Sequence, residues 1–382
     1  MNRESALVMQ EKQLKVLNLM TGGQVGGIET LCYNWGKYAP FQNGFAFLTE
    51  RGAVYEKMLE ANFDTYDLTQ EGSKISLRKI RKLILIAKKF DVVVVHHEDP
   101  ILRMYYIILS QHVKCKSVAY VHSCYADYSQ LSYGRVKKKI YEMILQNAFN
   151  VSDAVISVSK AGEASYEEIY SVPQNKKYIV YNGISDKLIE NGCRNNVYVH
   201  LPYRLLYIGR LNRIKGVDLL LNAVYLLKND YDIKLNIVGD GPERMVLENL
   251  MTELHLENIV KFCGESMDIG EYLSGAEVFI YPSTCQEVFG ISLVEALSYG
   301  VPCVANRVGG IPEIIENGFN GELAETITVE ALAKAIKKIL DSYKNGRIDQ
   351  YSENAKKTAL KYSIKNKCIE VNDILEYITY NK

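Results

Sequence analysis

The chain is 382 residues long with 48% apolar and 24% charged residues, an ordinary globular composition too long for one core, so two or three domains are expected. Its 45 Lys and Arg balance 45 Asp and Glu, and no global charge argues for nucleic acid or an acidic polymer as partner. No apolar run approaches the ~18–20 residues of a membrane span and MNRESALVMQEKQ lacks the apolar core of a signal peptide; a cytoplasmic protein is expected, with attachment to the cytoplasmic face of a membrane left open.

LKVLNLM (14–20) reads as a strand, TGGQVGG as a glycine turn, and the stretch through Trp35 as a helix, the first unit of a parallel α/β fold. GFAFLTE (44–50) is the next strand and 53–62 the next helix; the amphipathic SLRKIRKLILIAKKF (76–90) precedes DVVVVHH (91–97). KSVAYVH (116–122), DAVISVS (153–159) and KYIVYNGI (177–184) continue the series. Such near-continuous apolar strands are buried on both faces. Periodicity lapses over 185–203, which contains NGCRNN and is the expected linker. RLLYIGR (204–210), KLNIVGD (234–240), NIVKFCG (258–264), EVFIYPS (277–283) and PCVANRV (302–308) then alternate with helical stretches at 215–229, 242–255 and 290–299. Beyond about 328 the pattern is helical. Two doubly wound domains are the economical reading, with functional residues just after strands.

The sharpest signal follows EVFIYPS. Glu287 stands in the loop and Glu295 within the ensuing helix, while Phe289, Gly290 and Ile291 offer helix N-terminal amides to an anion. Carboxylates suit sugar and ribose hydroxyls because each accepts two hydrogen bonds. Arg210 and Lys215 stand together after the first strand of the second domain, two cations suited to a diphosphate; each such charge pair is worth about 4 kcal/mol at ~4 Å in a dielectric of ~20, before desolvation. Gly26 and Gly27, inside GGQVGG, let a backbone approach a ligand closely ahead of a helix N-terminus. The GDG turn (239–241) makes a weaker case for a nucleotide contact, because GxG before a helix is often only a tight turn. In His96-His97-Glu98-Asp99 consecutive strand residues point to opposite faces, a poor shared metal site, so an acceptor-side loop is preferred. The eight cysteines include no CxxC pair and read as buried free thiols.

GRLNRIKG, IVGDGPE, FCGE, YPSTCQEVFGISLVEALSYGVPCVAN and GGIPEII, in this order across 204–317, resemble family 4 of the glycosyltransferases (glycosyl transferases group 1), retaining enzymes of the GT-B fold. GGIE (26–29), VVVHHEDP, VHSC, VISVSKA and VYNGI are looser counterparts in the first half. The resemblance implies two Rossmann-like domains with a cleft between them: an acceptor-binding domain over 1–185, a nucleotide-sugar donor domain over 204–365, and a C-terminal helix (366–382) crossing back to the first. It implies that Arg210 and Lys215 hold the donor diphosphate, that Glu287 meets the donor sugar, and that Glu295 binds the ribose. The loop from Glu265 through Ser266 to Asp268 would border the base, Gly26 and Gly27 would close over the phosphates, and His122 would face the transferred sugar.

The implied reaction moves a sugar from a nucleoside diphosphate sugar, UDP by family frequency, to a glycan, glycolipid or protein hydroxyl, as in polysaccharide or glycoconjugate synthesis. No cofactor and no metal is expected, since Arg210, Lys215 and helix amides do the work of a divalent ion. Ser76–Phe90 and Arg135–Lys139 are basic and could rest on an anionic membrane or simply be solvated. Two alternatives stay open at this point: a sugar-nucleotide 2-epimerase of the same fold, and a non-catalytic nucleotide-sugar-binding partner subunit. A dehydrogenase is disfavoured because no GxGxxG follows either domain's first strand.

Overall fold

The computed structural model describes residues 13–24, 26–123, 134–192, 201–266 and 268–380. It contains two sheets. The first is built from β1 (Lys15–Gly22), β2 (Gln42–Glu50), β3 (Asp64–Asp67), β4 (Val92–Val95), β5 (Lys116–Val121), β6 (Ala154–Ser157) and β7 (Lys177–Ile179), in the order β3-β2-β1-β4-β5-β6-β7. The second contains β8 (Tyr203–Ile208), β9 (Ile233–Val238), β10 (Val260–Gly264), β11 (Val278–Tyr281), β12 (Cys303–Asn306) and β13 (Gly321–Ala324), in the order β10-β9-β8-β11-β12-β13. The pairings of β1 with β2 and β4, and of β8 with β9 and β11, are parallel. Two parallel-sheet, Rossmann-like domains result, as expected.

By packing, the chain divides into two compact units: Met1–Tyr120, Tyr141–Val155 and Cys368–Lys382 form one, and Val121–Ile140 with Ile156–Lys367 form the other. The expected plan set 1–185 apart from 204–365, with a helix over 366–382 returning to the first; packing groups Cys368–Lys382 with the first unit and Ile156–Asn182 with the second. A lapse in periodicity marks where the sheet changes, whereas segments such as Ile156–Asn182 join whichever surface they pack on. Part of the expected linker, 193–200, lies outside the described residues; ahead of it stands a short helix, Asp186–Asn191.

The elements follow from local chemistry. All four residues of Val92–Val95 are buried, as β-branched side chains on a strand covered on both faces should be. In the second unit Leu205, Leu235, Ile237 and Ile280 pack with Leu220 and Val224 of the Val217–Leu227 helix and with Leu332 and Ile336 of the Val329–Lys344 helix; each such side chain contributes about 1.5–3 kcal/mol on burial. The Pro100–His112 helix begins with Asp99 Oδ1 accepting from Leu102 N at 2.9 Å and proline in its first turn, a strong start signal.

Two features depart from expectation. β3 (DTYD) and β13 (GELA) lack an apolar run and escape the reading; both are sheet-edge strands, formed because a neighbour offers a ladder. The basic helix Leu77–Ala87 does not turn all its cations outward: Lys79 is 2% exposed and its Nζ donates to Leu48 O at 2.8 Å, while Arg78 and Lys82 pair with Glu71. Among the described residues, no helix is long and apolar enough to cross a membrane.

Candidate functional site

In the second sheet the chain steps outward from β8 to β9 and β10, then returns to β11 on the other flank of β8. Loops leaving β8 and β11 therefore start at a topological switch point, where open α/β sheets leave a ligand crevice. The first loop is Gly209–Gly216 and the second Pro282–Gly290. They are stitched together: Thr284 N donates to Ile214 O at 2.9 Å, and Ser283 Oγ to the same carbonyl at 3.2 Å. Gly216 adopts φ +67°, and a Cβ there would lie 2.2 Å from Pro282 O, so only glycine allows this approach.

The stitching brings Lys215 to Glu287. Lys215 Nζ donates to Glu287 Oε1 at 2.5 Å and Ser283 Oγ to the same oxygen at 2.6 Å, with Cys285 Sγ 3.6 Å away. The two charged side chains are 23% and 13% exposed. The ammonium also stands 5.7 Å from the centre of the Tyr281 ring, and burial, followed by the Glu287 charge, pushes the Tyr281 phenol well above its ordinary value. Lys215 is thus a paired cation, whose carboxylate partner fixes its position and offsets its charge. Arg210 is exposed, and its guanidinium makes no hydrogen bond or ion pair with a described residue, so it is available to a ligand.

Below Glu287, Gly310 N donates to Glu287 O at 2.6 Å, and a Cβ on Gly309 (φ +49°) would fall 2.1 Å from that carbonyl. Asn306 Nδ2 donates to Pro282 O and Ser283 O at 2.8 and 3.1 Å. Its own Oδ1, and that of Asn212, are buried without a partner among the described residues.

The helix after the loop is Ile291–Ser298, with Gly290 (φ +111°) as its cap. Ile291 and Ser292 supply first-turn amides, while Leu293 N already bonds Gly290 O at 3.1 Å. Phe289 is a correction: it precedes the cap, and its ring is 2% exposed, 5.4 Å from Tyr362 and 6.2 Å from Tyr181. The left-handed Gly290 delays the helix start and turns that side chain into the core. Glu295 is half-buried, its carboxylate has no hydrogen bond with a described residue, and desolvation pushes it up to about 7. Tyr299, one turn on, has its phenol raised by burial and then by the charges of Asp268 and Glu295, which places Asp268 beside this helix. Ser266 Oγ donates to Asp268 O at 2.8 Å, and Asp268 Oδ1 accepts from Gly270 N at 3.0 Å.

Gly239 and Gly241 serve packing: a Cβ on either would strike Gly209 O or Leu211 O at 2.0 or 2.2 Å. His122 is half-buried just beyond β5, and Val121–Ile140 belongs to the same compact unit as Lys215 and Glu287.

In the other unit the sheet order reverses between β1 and β4. Gly22 and Gly23 are packing glycines, closed on by Glu50 and Tyr55. Gly26 caps the Gly27–Tyr38 helix, and the Glu29 carboxylate folds back to 2.3 Å from where a Gly26 Cβ would stand. His97 Nε2 meets Glu29 Oε1 at 3.1 Å, and Thr21 N donates to His97 Nδ1 at 3.4 Å. This helix start therefore already holds a carboxylate of its own. His96 is buried against Asn18, with desolvation lowering its pKa to about 3, and Asp99 is a helix cap, so HHED disperses. Among the described residues no group of three or more His, Cys, Asp or Glu could hold a metal ion.

The family model "Glycosyl transferases group 1" matches residues 198–358, and "Glycosyltransferase Family 4" matches 25–188. The chain belongs to this glycosyltransferase family. An uncharacterized glycosyltransferase of Methanocaldococcus jannaschii is 28% identical over 295 residues, 74% of each chain. The O-antigen biosynthesis glycosyltransferase WclY of Escherichia coli is 26% identical over 67% of this chain and 72% of that one. The N-acetyl-alpha-D-glucosaminyl L-malate synthase of Bacillus anthracis is 38% identical, but over only 32% of each chain. In fold the glycosyltransferase resembles Anabaena HepE, solved with UDP and glucose (TM-score 0.80, 21% identity, 95% of this chain and 100% of that one), and WaaG, a glycosyltransferase of lipopolysaccharide biosynthesis (TM-score 0.68, 17% identity, 94% and 99%). Such neighbours place it in the GT-B fold.

Several residues of this glycosyltransferase escaped the sequence reading: Ser283, Tyr281, Asn306 and the Gly309–Gly310 floor. Ser283 could have been found, because it lies in the quoted motif a few residues before Glu287. Asn306 and Gly309 also lie within the matched motifs, but motif membership does not reveal their role, which depends on backbone carbonyls distant in sequence.

Proposed function

We propose that this glycosyltransferase moves a sugar, with retention of anomeric configuration, from a UDP-sugar to an acceptor hydroxyl in cell-surface polysaccharide or glycoconjugate synthesis. The observation that carries the reading is the Lys215–Ser283–Glu287 cluster at the second sheet's switch point, flanked by the unpaired Arg210. UDP is favoured by the HepE complex with UDP and glucose, and a surface-glycan acceptor by the O-antigen role printed for WclY.

In the proposed step the bond from the anomeric carbon to the diphosphate oxygen breaks, and its electron pair leaves with the diphosphate. The acceptor oxygen bonds to the same face, and its proton passes to the departing phosphate. Arg210, Lys215 and the amides of Ile291 and Ser292 stabilise the growing negative charge, a task assigned here to protein groups with no divalent ion. Glu287 and His122 are assigned to the transferred sugar. Thermal shift against a nucleotide-sugar panel, followed by mass spectrometry and anomeric NMR of products formed with EDTA present, tests this. No stabilisation by any nucleotide sugar sinks the reading, an inverted product sinks retention, and rescue by Mg²⁺ sinks metal independence.

Glu295 is assigned to the ribose, whose hydroxyls donate to an ionised carboxylate. In the free protein, desolvation raises this carboxyl from 4.5 to about 7, so its burial costs stability that accrues as pH rises from about 4.5 to 7 and is constant above, and a diol that hydrogen-bonds the anion offsets the cost. UDP-glucose binding is therefore expected to tighten as pH rises from 6 through 7, by at most about tenfold per unit, and to level off above. Calorimetric Kd values across that range check it; a slope that persists in Glu295→Gln rules the assignment out.

The helix Arg135–Val151 exposes Val136, Ile140 and Met143 among Lys137, Lys138 and Lys139, and Leu77 and Leu85 stand exposed near Arg81 and Lys88. We assign these faces to anionic lipid. The protein should sediment with phosphatidylserine liposomes at low salt and be released at high salt; equal recovery with neutral liposomes would refute the electrostatic contact.

A further inference from the structure

The GGIPE segment (309–313) carries an acidic residue, Glu313, that has no part in the proposed transfer step. Glu313 ends a short 3-10 turn, Ile311–Glu313, and its carboxylate gathers three donors. Oε2 accepts from Lys160 N at 3.0 Å and from Tyr181 Oη at 2.8 Å, and Oε1 from Ala161 N at 2.9 Å. The two amides open the Lys160–Glu167 helix, where a negative charge is favoured. Burial, then the bond to Glu313, raises the Tyr181 phenol, so at neutral pH it remains a donor. Tyr362 Oη adds a bond to the Glu313 carbonyl at 3.4 Å.

At its other end the same segment is the floor beneath Glu287. Gly310 N donates to Glu287 O, Gly309 has no room for a Cβ against Glu287, and a Cβ on Gly310 would lie 2.3 Å from Val288 O. Val288 also faces Gly162, 3.5 Å from where its Cβ would stand. The segment is thus tied to Glu287 at one end and to the 160–167 helix at the other. With the carboxylate gone, the far end of the segment keeps only the 3.4 Å bond from Tyr362 to the Glu313 carbonyl among these contacts, and two glycines in sequence give the Gly309–Gly310 backbone freedom to shift.

We propose that Glu313 is a positioning residue: it acts through Gly309–Gly310 to hold the Glu287 carboxylate where the donor sugar is recognised. This rests on the reading that Glu287 meets the sugar. It does not touch the nucleotide, so the sugar and nucleotide parts of binding should separate.

The experiment compares Kd for UDP-glucose and for UDP in the wild type, Glu313→Ala, Glu313→Gln and Tyr181→Phe. Glu313→Ala is expected to weaken UDP-glucose roughly tenfold, the scale of a lost charge-assisted contact, while UDP changes less than about twofold. Glu313→Gln keeps the side chain's size and one acceptor oxygen, so it should fold and fall between; Tyr181→Phe, which leaves both amide bonds, should stay near wild type. Equal weakening of both ligands, or a lower melting temperature with the ratio of the two Kd values unchanged, reduces Glu313 to a structural cap and overturns the proposal. A wild type that binds neither ligand overturns the choice of donor, and this inference with it; unchanged discrimination in Glu313→Ala overturns the positioning role alone.

Discussion

Replacing Lys215 by alanine is expected to lower kcat for transfer by about 10²–10³, the usual cost of removing one donor aimed at developing charge. The substitution also strips Glu287 of its cation. The carboxylate keeps Ser283 but now presents an uncompensated charge near the arriving diphosphate, so KM for the donor should rise as kcat falls. Lys215→Arg should not restore turnover: a planar fork cannot occupy the position of a compact ammonium that bonds Glu287 and rests against the Tyr281 ring. Steady-state kinetics at saturating donor and acceptor, with melting temperature as a folding control, provide the test. Turnover within a fewfold of wild type in a folded Lys215→Ala protein would remove Lys215 from the mechanism.

Glu287→Gln is expected to lower kcat/KM by about 10–100-fold, since hydrogen bonds to a charged group are worth about 1.5–3 kcal/mol. Its diagnostic is an opposite effect on the nucleotide alone. Because Lys215 is held by Glu287 at 2.5 Å, neutralising the carboxylate frees the ammonium, and UDP should bind as tightly as to wild type or several-fold tighter. Tighter nucleotide with slower transfer separates a sugar contact from general damage, which weakens both. If UDP affinity falls in step with kcat/KM, the division of labour between the two residues is wrong. The two changes should also be non-additive when combined, as expected for side chains that share one hydrogen bond.

The pair also explains how far spacing alone could reach. Arg210, Lys215, Glu287 and Glu295 were recognisable because all four follow strand ends within a familiar order of motifs. Spacing cannot reveal that two of them bond each other, since that depends on β8 and β11 being neighbours and on Thr284 and Ser283 closing onto Ile214. Phe289 shows the reverse case. Counted along the chain it belonged to the helix N-terminus, but a left-handed Gly290 shifts the cap by one residue and sends the ring into an aromatic cluster with Tyr181 and Tyr362.

Hydrophobic periodicity by itself determined the alternation of strands and helices and the presence of two parallel sheets, because burial on both faces writes apolar runs directly into the chain. Residue chemistry and motif order pointed to the family and to the candidate site residues after the strands of the second sheet. Tertiary structure alone decided which cation is free and which is paired, the raised carboxyl of Glu295, the packing duties of Gly239 and Gly309, and the Glu313 tie. Those depend on distances between backbone atoms far apart in sequence and on how much water each group keeps, and neither quantity is local.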